Sequence, residues 1–503
     1  MTPEHAPPLR RRTVDVALES RLRRWTIEDQ DGQVSLIESA AVPAGEPVTG
    51  DLPLRVAHGG VMRVAVLAGG TPDLERVLRR AVLASGAELV LLIHANDARS
   101  FTERAAALRD ARPDLVLALA AERREADRIV DLVEALRFGC ADQSPAPRVI
   151  VAGDSHAALR LKAAAATFAV ELLSDPRRPG GLSAFAHRGR DFRRGTDANV
   201  VLRDEALEEL ARLVAARGAD ALVVDVSGGS TSLVRASVRG TVTAAHVAAL
   251  GSGVAADRTV VRAGLDGVRR WIPWSIDAPT MLERVFNRAR WPDAVAAEAS
   301  ALALEIALAH EATSHAHADA AAAGMGDALR DAPVTIVTGA AASFTRAAHT
   351  ALVAIDGLAS RTPTTLYRDA DEALVALAAV AAHIRSAGGD PAPGVGDELA
   401  RRLLPVALVV PVTPGRRSRL RVNGVEHRAD LLLAGSFFSV RHRGDADVEI
   451  TGTPVKTRGT AGELGIIIDA RGRPLVLPAR DAERIPALVK WFAALDLAVT
   501  GLS

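Results

Sequence analysis

The feature that most constrains the fold is an alternation of short apolar segments and helical segments that begins near residue 63. Strand-like apolar segments recur at residues 63–67, 89–93, 114–119 and 148–152, and a segment of helical character separates each from the next. Short apolar strands joined by helices are typical of a parallel sheet covered on both faces. We therefore predict a parallel α/β unit here, with right-handed crossovers.

The same alternation returns further along the chain. A predicted helix at 205–217 leads directly into a strand at 221–226, and a second strand at 334–337 follows an alanine-rich helix at 294–322. The proline, glycine and arginine content of residues 176–195 favours a loop. Upstream, three short strands of a meander are predicted at residues 13–17, 25–27 and 34–37.

The chain divides into three predicted domains, within the range of two to four that 503 residues suggest. Residues 1–190 form an N-terminal α/β lobe, and residues 191–390 form a second α/β lobe. Residues 391–503 form a small β-rich domain closed by a helix at 481–495. The second boundary rests on residues 387–396, where prolines and glycines alternate closely as in a linker.

Composition excludes several classes of function. Hydrophobic residues make up 49% of the chain and aromatic residues only 3%, so the core is built mainly from Ala, Val and Leu. Lys+Arg and Asp+Glu both number 61, so no bulk positive charge favours nucleic acid. The longest apolar runs are too short to span a bilayer. With Cys140 as the single cysteine, we predict a cytoplasmic protein that binds neither nucleic acid nor membrane.

The strongest candidate for a binding site is the stretch at residues 221–237, in which a strand, a hydroxyl-rich turn and a second strand follow one another. Glycines let a backbone approach an anion closely, and successive N–H groups in such a turn bind anions. Asp225, at the end of the first strand, could hold Mg²⁺ through water. The alternative is an ordinary β-hairpin, for which Gly228-Gly229 is also a normal signal. The stretch alone leaves both interpretations open.

Several motifs, taken in order, resemble those of one family. Residues 224–231 are similar to a Val-Asp-x-Gly-Gly-Ala-Thr-Thr phosphate motif, and residues 334–341 are similar to an Ile-Gly-x-Gly-Gly strand and turn. Residues 112–117 and 149–154 resemble Pro-Asp-Ile-Ile-Leu-Leu and Val-Ile-Tyr-Ala-Gly-Asn, and residues 462–474 resemble the family's tail. The family is that of the glutamate mutase accessory proteins (GlmL/MutL type), which belongs to the actin, sugar-kinase and Hsp70 ATPase superfamily.

The resemblance implies a fold, a cofactor and a partner. The fold is α/β: a two-lobed, actin/Hsp70-like (ribonuclease H-like) ATPase with parallel and mixed sheets and a small C-terminal β-rich domain. ATP with Mg²⁺ would lie between the lobes, and the partner would be an adenosylcobalamin-dependent mutase. The residues implied to contact phosphate and Mg²⁺ are Asp15, Asp225, Ser227, Gly228, Gly229, Ser230 and Thr231, and those implied at the adenosine are Gly339 and Ala340.

The departures from the family pattern affect the same turns. The family's first phosphate turn is Asp-x-Gly-Ser-Thr, whereas here Leu18 and Glu19 follow Asp15 in place of small residues. A glutamate repels phosphate, and a leucine blocks close approach of the backbone. Ser227 stands where the family has glycine, and Ala340 and Ala341 stand where the family has at least one more glycine. The departures lead to two hypotheses: an ATP-binding accessory protein with weak hydrolysis, and a non-catalytic pseudo-ATPase that acts as a binding or scaffold module.

Two further features have open roles. Trp271, Trp274 and Trp291 lie within one short stretch and indicate either a small satellite core or a partner surface. Arg471 and Arg473, in the family-like tail, could hold an anionic partner. A solvated turn between strands is the ordinary interpretation of those two arginines, and we favour it.

Overall fold

The structure is a computed structural model that describes residues 10–18, 21–30, 33–42, 54–69, 72–120, 123–153, 155–291, 299–391, 393–415, 418–427, 432–473 and 475–497. Among these residues no helix combines the length and the apolar character needed to cross a bilayer.

The first half of the chain contains two sheets. Its elements are β1 (Arg10–Leu18), β2 (Arg21–Gln30), β3 (Gln33–Val42), β4 (Leu54–Ala57), β5 (Arg63–Ala68), α1 (Pro72–Ala84), β6 (Glu88–His94), α2 (Phe101–Ala111), β7 (Leu115–Ala120), α3 (Arg123–Gly139), β8 (Arg148–Gly153), α4 (Ser155–Ala164), β9 (Val170–Leu173), α5 (Gly181–Arg194), β10 (Val200–Leu202) and α6 (Arg203–Ala215). One sheet has the order β10-β4-β1-β2-β3, and the other, wholly parallel, has the order β6-β5-β7-β8-β9.

The second half is built around an eight-stranded sheet. Its elements are β11 (Ala221–Val226), β12 (Ser230–Ala236), β13 (Val242–Ala248), α7 (Ala256–Ala263), α8 (Leu265–Arg269), α9 (Ala278–Arg290), α10 (Ala299–Ala322), β14 (Val334–Gly339), α11 (Ala347–Leu358), β15 (Thr364–Arg368), α12 (Ala373–Ser386), α13 (Pro393–Arg402), β16 (Pro405–Pro411), β17 (Arg419–Val422), β18 (Val425–His427), β19 (Phe437–Val440), β20 (Gly444–Thr451), β21 (Lys456–Ala461), β22 (Ile466–Asp469) and α14 (Asp481–Ala493). The order is β13-β12-β11-β14-β15-β16-β22-β19, and β18-β17-β20-β21 form a separate antiparallel sheet.

The two halves repeat one topology. In the first, β1, β2 and β3 form an antiparallel meander, with β4 and then β10 added parallel beside β1. In the second, β11, β12 and β13 form the meander, with β14 and then β15 added parallel beside β11. This duplication confirms the predicted two-lobed α/β fold with parallel and mixed sheets.

The parallel sheet predicted from the alternation after residue 63 is confirmed, and it lies in the chain between β4 and β10. The loop predicted at residues 176–195 is wrong, because α5 begins at Gly181. Glycine there permits close packing rather than breaking the helix: a Cβ at Gly189 would lie 2.7 Å from the Cβ of Ser85, and one at Gly181 would lie 2.0 Å from the Asp175 carbonyl oxygen.

A shared core joins the two repeated sheets and fixes the place of α6. It includes Val14 and Val16 of β1, Leu207 and Leu210 of α6, and the buried face of β11 together with α12. Because the apolar side chains of α6 pack into this core, its first residues lie where the two halves meet. The N-terminus of α6 is therefore the fixed point around which the candidate site is built.

Candidate functional site

A cavity of about 360 Å³ lies where the β11–β12 turn, the start of α6 and the loop after β4 come together. Its volume is within the usual range of small-molecule sites. The side chains and backbone that border it come from both repeated halves. The lining residues used below are His58, Arg193, Arg203, Asp204, Asp225, Gly228, Gly229, Ser230, Ser232, His246 and Val254.

The turn predicted from the sequence is an antiparallel hairpin, and it also borders this cavity. Val226 lies opposite Thr231, and the Ser227 N–H donates to the Ser230 carbonyl at 2.9 Å. Within the described part of the chain, the N–H groups of Gly228 and Gly229 donate no hydrogen bond. Two neighbouring free N–H groups in a tight turn are the kind of backbone that binds anions.

Asp225 is neutralised by an arginine that no sequence motif marks. The Arg203 Nη2 lies 2.6 Å from Asp225 Oδ1 and 2.9 Å from Glu372 Oε2, and all three side chains are buried. Burial by itself would raise the pKa of Asp225, but the Arg203 guanidinium outweighs it and holds that pKa below its usual value. One cation therefore serves two carboxylates.

Two hydroxyl groups complete the surroundings of Asp225. Ser227 Oγ donates to Oδ2 at 3.0 Å, and Thr338 Oγ1 donates to Oδ1 at 2.7 Å. Both carboxylate oxygens thus already accept hydrogen bonds from the protein. A magnesium ion bound to Asp225 through water, as predicted, would share this carboxylate with Arg203, Ser227 and Thr338. Among the described residues no group of three His, Cys, Asp or Glu side chains is placed to hold a metal ion.

The turn predicted to contact adenosine packs against the carboxylate of Asp225. Gly339 has φ +78°, its N–H donates to Glu372 Oε1 at 3.1 Å, and a Cβ there would lie 2.6 Å from the Val226 carbonyl oxygen. Ala340 follows it as a half-buried residue. Neither Gly339 nor Ala340 is among the described residues that line the cavity. The structure therefore places this turn behind Asp225 rather than beside the open volume.

Asp15 is not brought to the cavity. It is buried in β1, where Arg24 Nε and Nη2 donate to its two oxygens at 2.8 and 3.0 Å. Glu19 lies outside the described residues, and only the backbone of Leu18 is described. Of the residues predicted for phosphate, the cavity wall contains Asp225, Gly228, Gly229 and Ser230, whereas Ser227 and Thr231 are buried beside it.

His58 and Arg193 also border the cavity, and neither was predicted from the sequence. The Arg193 guanidinium donates to the Ser85 carbonyl at 3.0 Å, to the His58 carbonyl and to Asp204. His58 Nδ1 lies 3.2 Å from Ser230 Oγ. Burial, and then the charge of Arg203, lower the pKa of His58 to about 4, so its imidazole is neutral at pH 7. The one signal available was the His-Gly-Gly sequence at 58–60, directly after a strand.

The cavity wall contains two arginines together with N–H donors that have no protein acceptor among the described residues. Arg203 Nη1 is buried and has no hydrogen-bond partner among the described residues. Burial of an unpaired guanidinium N–H costs free energy that a bound anion would recover. Together with the N–H groups of Gly228 and Gly229, this nitrogen makes the cavity suited to an anionic group.

The remaining sequence candidates lie elsewhere. Arg471 is buried between the Phe437 and Trp491 rings and pairs with Asp356 at 2.6 Å, so the prediction of a solvated turn is wrong for this residue. Stacking of its guanidinium on the two aromatic rings, with Asp469 as a second carboxylate partner, explains the difference.

Of the tryptophans predicted to form either a small core or a partner surface, one is buried and another is exposed. Trp271 is buried and donates to Glu311 Oε1 at 2.6 Å, whereas Trp291 is exposed at the end of α9.

No protein-family model matches this chain, and no curated protein sequence matches it. Solved structures do. A Ppx/GppA family member from Aquifex aeolicus is 11% identical, with 78% of this chain and 99% of that chain covered and a TM-score of 0.22. Nucleotide-free acetone carboxylase is 14% identical, covering 74% and 70%, with a TM-score of 0.29. ATP-dependent caprolactamase from Pseudomonas jessenii is 10% identical, covering 98% and 85%, with a TM-score of 0.26.

Proposed function

We propose that this protein is a non-hydrolysing member of the two-lobed ATPase-type folds, and that its cavity binds the phosphate end of a nucleotide without a metal ion. The observation that supports this most directly is the ion pair of Arg203 with Asp225 and Glu372. Metal-dependent phosphoryl transfer needs a carboxylate that can accept a hydrated cation. Here a guanidinium fixed to the protein takes that place.

The binding half of the proposal rests on the cavity itself. Its volume of about 360 Å³ is enough for a phosphate-bearing group, and ion pairs with Asp204 and Asp225 hold the Arg193 and Arg203 guanidinium groups at its wall. The Gly228 and Gly229 N–H groups and Arg203 Nη1 are donors that lack protein acceptors among the described residues. Donors already fixed in place lose little conformational entropy when an anion binds.

The finer role is that of a cytoplasmic accessory or scaffold protein for an adenosylcobalamin-dependent mutase. Support for this comes from the order of the sequence motifs alone, and it stays a prediction. Co-purification of the tagged chain with mutase subunits is the experiment that checks it. Recovery of stoichiometric subunits would support the prediction, and their absence from the eluate of the native host would contradict it.

Calorimetric titration of the full chain with ATP and ADP tests the proposed site. We expect a Kd between about 1 μM and 1 mM, or roughly −8 to −4 kcal/mol, that changes less than about threefold when EDTA replaces Mg²⁺. Gly229→Val should abolish binding. A Cβ at this position would lie 3.2 Å from Val254 Cγ2, and both residues line the cavity, so the new side chain would take up space at its wall. Arg235→Ala is the control: it removes a half-buried arginine of β12 that pairs with Asp220 away from the cavity.

Three results would contradict the proposal. Binding that requires Mg²⁺, together with steady release of phosphate, would show that Arg203 leaves Asp225 and that the protein is an ATPase. No heat from either nucleotide up to millimolar concentration would remove the nucleotide from the proposal. Equal binding by the Gly229→Val variant would place the nucleotide elsewhere on the molecule.

A further inference from the structure

Three side chains beside the cavity form a chain of contacts that the proposed nucleotide site does not use. Ser232 Oγ lies 2.9 Å from His246 Nδ1, and His246 Nε2 lies 3.5 Å from Glu208 Oε1. All three residues are buried, and Ser232 and His246 line the cavity. A hydroxyl, an imidazole and a carboxylate in this sequence of contacts are the parts of an activated serine nucleophile.

The fold brings these residues together in a defined way. Ser232 of β12 and His246 of β13 are directly opposite each other across the antiparallel pair, so their side chains lie on the same face of the sheet. Asp225 of β11 lies opposite Ser232 in the same row. Glu208 lies on α6, which covers that face. Asp225, Ser232 and His246 therefore form one cross-strand row of polar residues, and Glu208 of α6 contacts the His246 end of this row.

Hydrogen bonding allows one neutral tautomer of His246 to serve as a base. If Nε2 carries the proton and donates to Glu208, the lone pair of Nδ1 can accept the Ser232 hydroxyl hydrogen. In most serine triads Nε2 accepts the serine hydrogen and Nδ1 donates to the carboxylate. Here the two nitrogens exchange these tasks, and both tasks are still performed. Arg190 pairs with Glu208, and although burial opposes it, this charge helps lower the pKa of Glu208 to about 2. The carboxylate is therefore ionised and able to stabilise an imidazolium.

We infer that Ser232 is a nucleophile activated by His246, with Glu208 as the positioning residue, and that the substrate class is small carboxylic esters that carry an anionic group. The anionic group rests on the proposed function, because Arg193 and Arg203 would bind it. The ester chemistry does not, because it depends only on the contacts of Ser232. The cavity would then hold both the charged end and the reacting carbonyl of one small molecule.

The reaction balances with water as the only co-reactant. Ser232 Oγ attacks the carbonyl carbon while its proton passes to His246 Nδ1. The bond from carbon to the alcohol oxygen breaks, and that oxygen takes the proton as the alcohol leaves. Water then attacks the acyl carbon and gives a proton to Nδ1. When the acyl–serine bond breaks, this proton returns to Oγ, and a carboxylic acid is released.

A second serine–histidine contact in the cavity provides an internal comparison. Ser230 Oγ lies 3.2 Å from His58 Nδ1, but burial and the charge of Arg203 lower the pKa of His58 to about 4. So low a pKa makes this imidazole a weak base, and the ring has no hydrogen bond to a carboxylate among the described residues. Covalent chemistry is therefore expected at Ser232 and not at Ser230.

Labelling of the full chain with a fluorophosphonate probe, followed by mass-spectrometric mapping, is the first test. We expect one adduct per chain, on Ser232, that is lost in Ser232→Ala. Ser386→Ala, which removes an exposed serine at the end of α12, should be labelled like the unmodified protein. No adduct in a folded protein, or an adduct on a different serine, overturns the inference.

Hydrolysis of p-nitrophenyl acetate separates the roles of the other two residues. His246→Asn should lower kcat by roughly 10²-fold or more, as expected for loss of a general base. Glu208→Gln should lower kcat at least about tenfold while KM changes less than about threefold, since a positioning residue acts in the chemical step. If kcat in both variants equals that of the unmodified protein, the inference is overturned.

Nucleotide titration of the same samples distinguishes the two proposals. If Ser232→Ala still binds nucleotide and the unmodified protein is not labelled, only the serine chemistry fails. If labelling occurs without nucleotide binding, only the nucleotide site fails.

Discussion

Arg203 Nη2 lies 2.6 Å from Asp225 Oδ1 inside the protein, and the same nitrogen lies 2.9 Å from Glu372 Oε2. This guanidinium joins the start of α6 to the end of β11 and to the residue before α12. A charge so deeply buried is stable only while its partners remain. The contact therefore links the stability of the two-lobed fold to the chemistry of its most conspicuous sequence motif.

Arg203→Ala should lower the free energy of unfolding by about 3–5 kcal/mol, because it leaves Asp225 and Glu372 buried without their cation. Urea denaturation followed by circular dichroism measures this. Arg235→Ala, which breaks a half-exposed pair with Asp220, is the matched control and should cost under about 1 kcal/mol. If the two variants lose the same free energy of unfolding, the buried ion pair of Arg203 stabilises the protein no more than the partly exposed pair of Arg235 does.

Gly339→Ala should destabilise the protein far more than Gly388→Ala. Both glycines have a φ near +80°, so both substitutions strain the backbone. At Gly388 the new Cβ would meet nothing within 4 Å, whereas at Gly339 it would lie 2.6 Å from the Val226 carbonyl oxygen and 2.8 Å from Asp225 Oδ1. We expect a loss of about 1 kcal/mol at Gly388 and a further loss of about 2 kcal/mol or more at Gly339. Thermal unfolding of both variants decides the matter.

His58 should make stability fall as the solution is acidified. Its pKa is lowered to about 4 in the folded protein, against 6.5 in its unperturbed state, so the unfolded chain binds a proton more readily. The stability contributed by the neutral imidazole is fully present above pH 6.5 and is lost progressively down to pH 4. We expect a total loss on the order of 3 kcal/mol. His58→Gln should reduce the slope of this part of the profile, to which His349, whose pKa burial also lowers to about 4, still contributes. His187→Gln, an exposed control, should leave the slope unchanged.

Glu208 should add a second loss of stability at lower pH. Its folded pKa of about 2 is below the unperturbed 4.5, so its contribution is present above pH 4.5 and disappears as the pH falls to 2. Glu208→Gln should lower stability at pH 7 by a few kcal/mol, because Arg190 loses its partner, and should reduce the slope below pH 4.5. Glu134→Gln on the exposed face of α3 is the control, and a slope unchanged by Glu208→Gln would contradict the assignment.

The sequence by itself determined the alternation of elements. The apolar runs at β5, β7 and β8 and the helical segments between them follow from local periodicity, and the turn at Gly228-Gly229 follows from local turn chemistry. These features depend on residues close together in the chain. The two-lobed fold was anticipated from the resemblance of several motifs, each of which is itself a short local pattern, whereas the duplicated strand order was not predicted.

Only the tertiary structure decided which residues meet. Arg203 and Glu372 are 169 positions apart, and nothing local marks Arg203 as the cation that would hold Asp225. Likewise Ser232, His246 and Glu208 become neighbours because a cross-strand register and a covering helix place them on one face. Long-range pairing of charges depends on how the sheets and helices pack. For that physical reason the motif at Asp225 could be found in the sequence, whereas the neutralisation of its carboxylate could not.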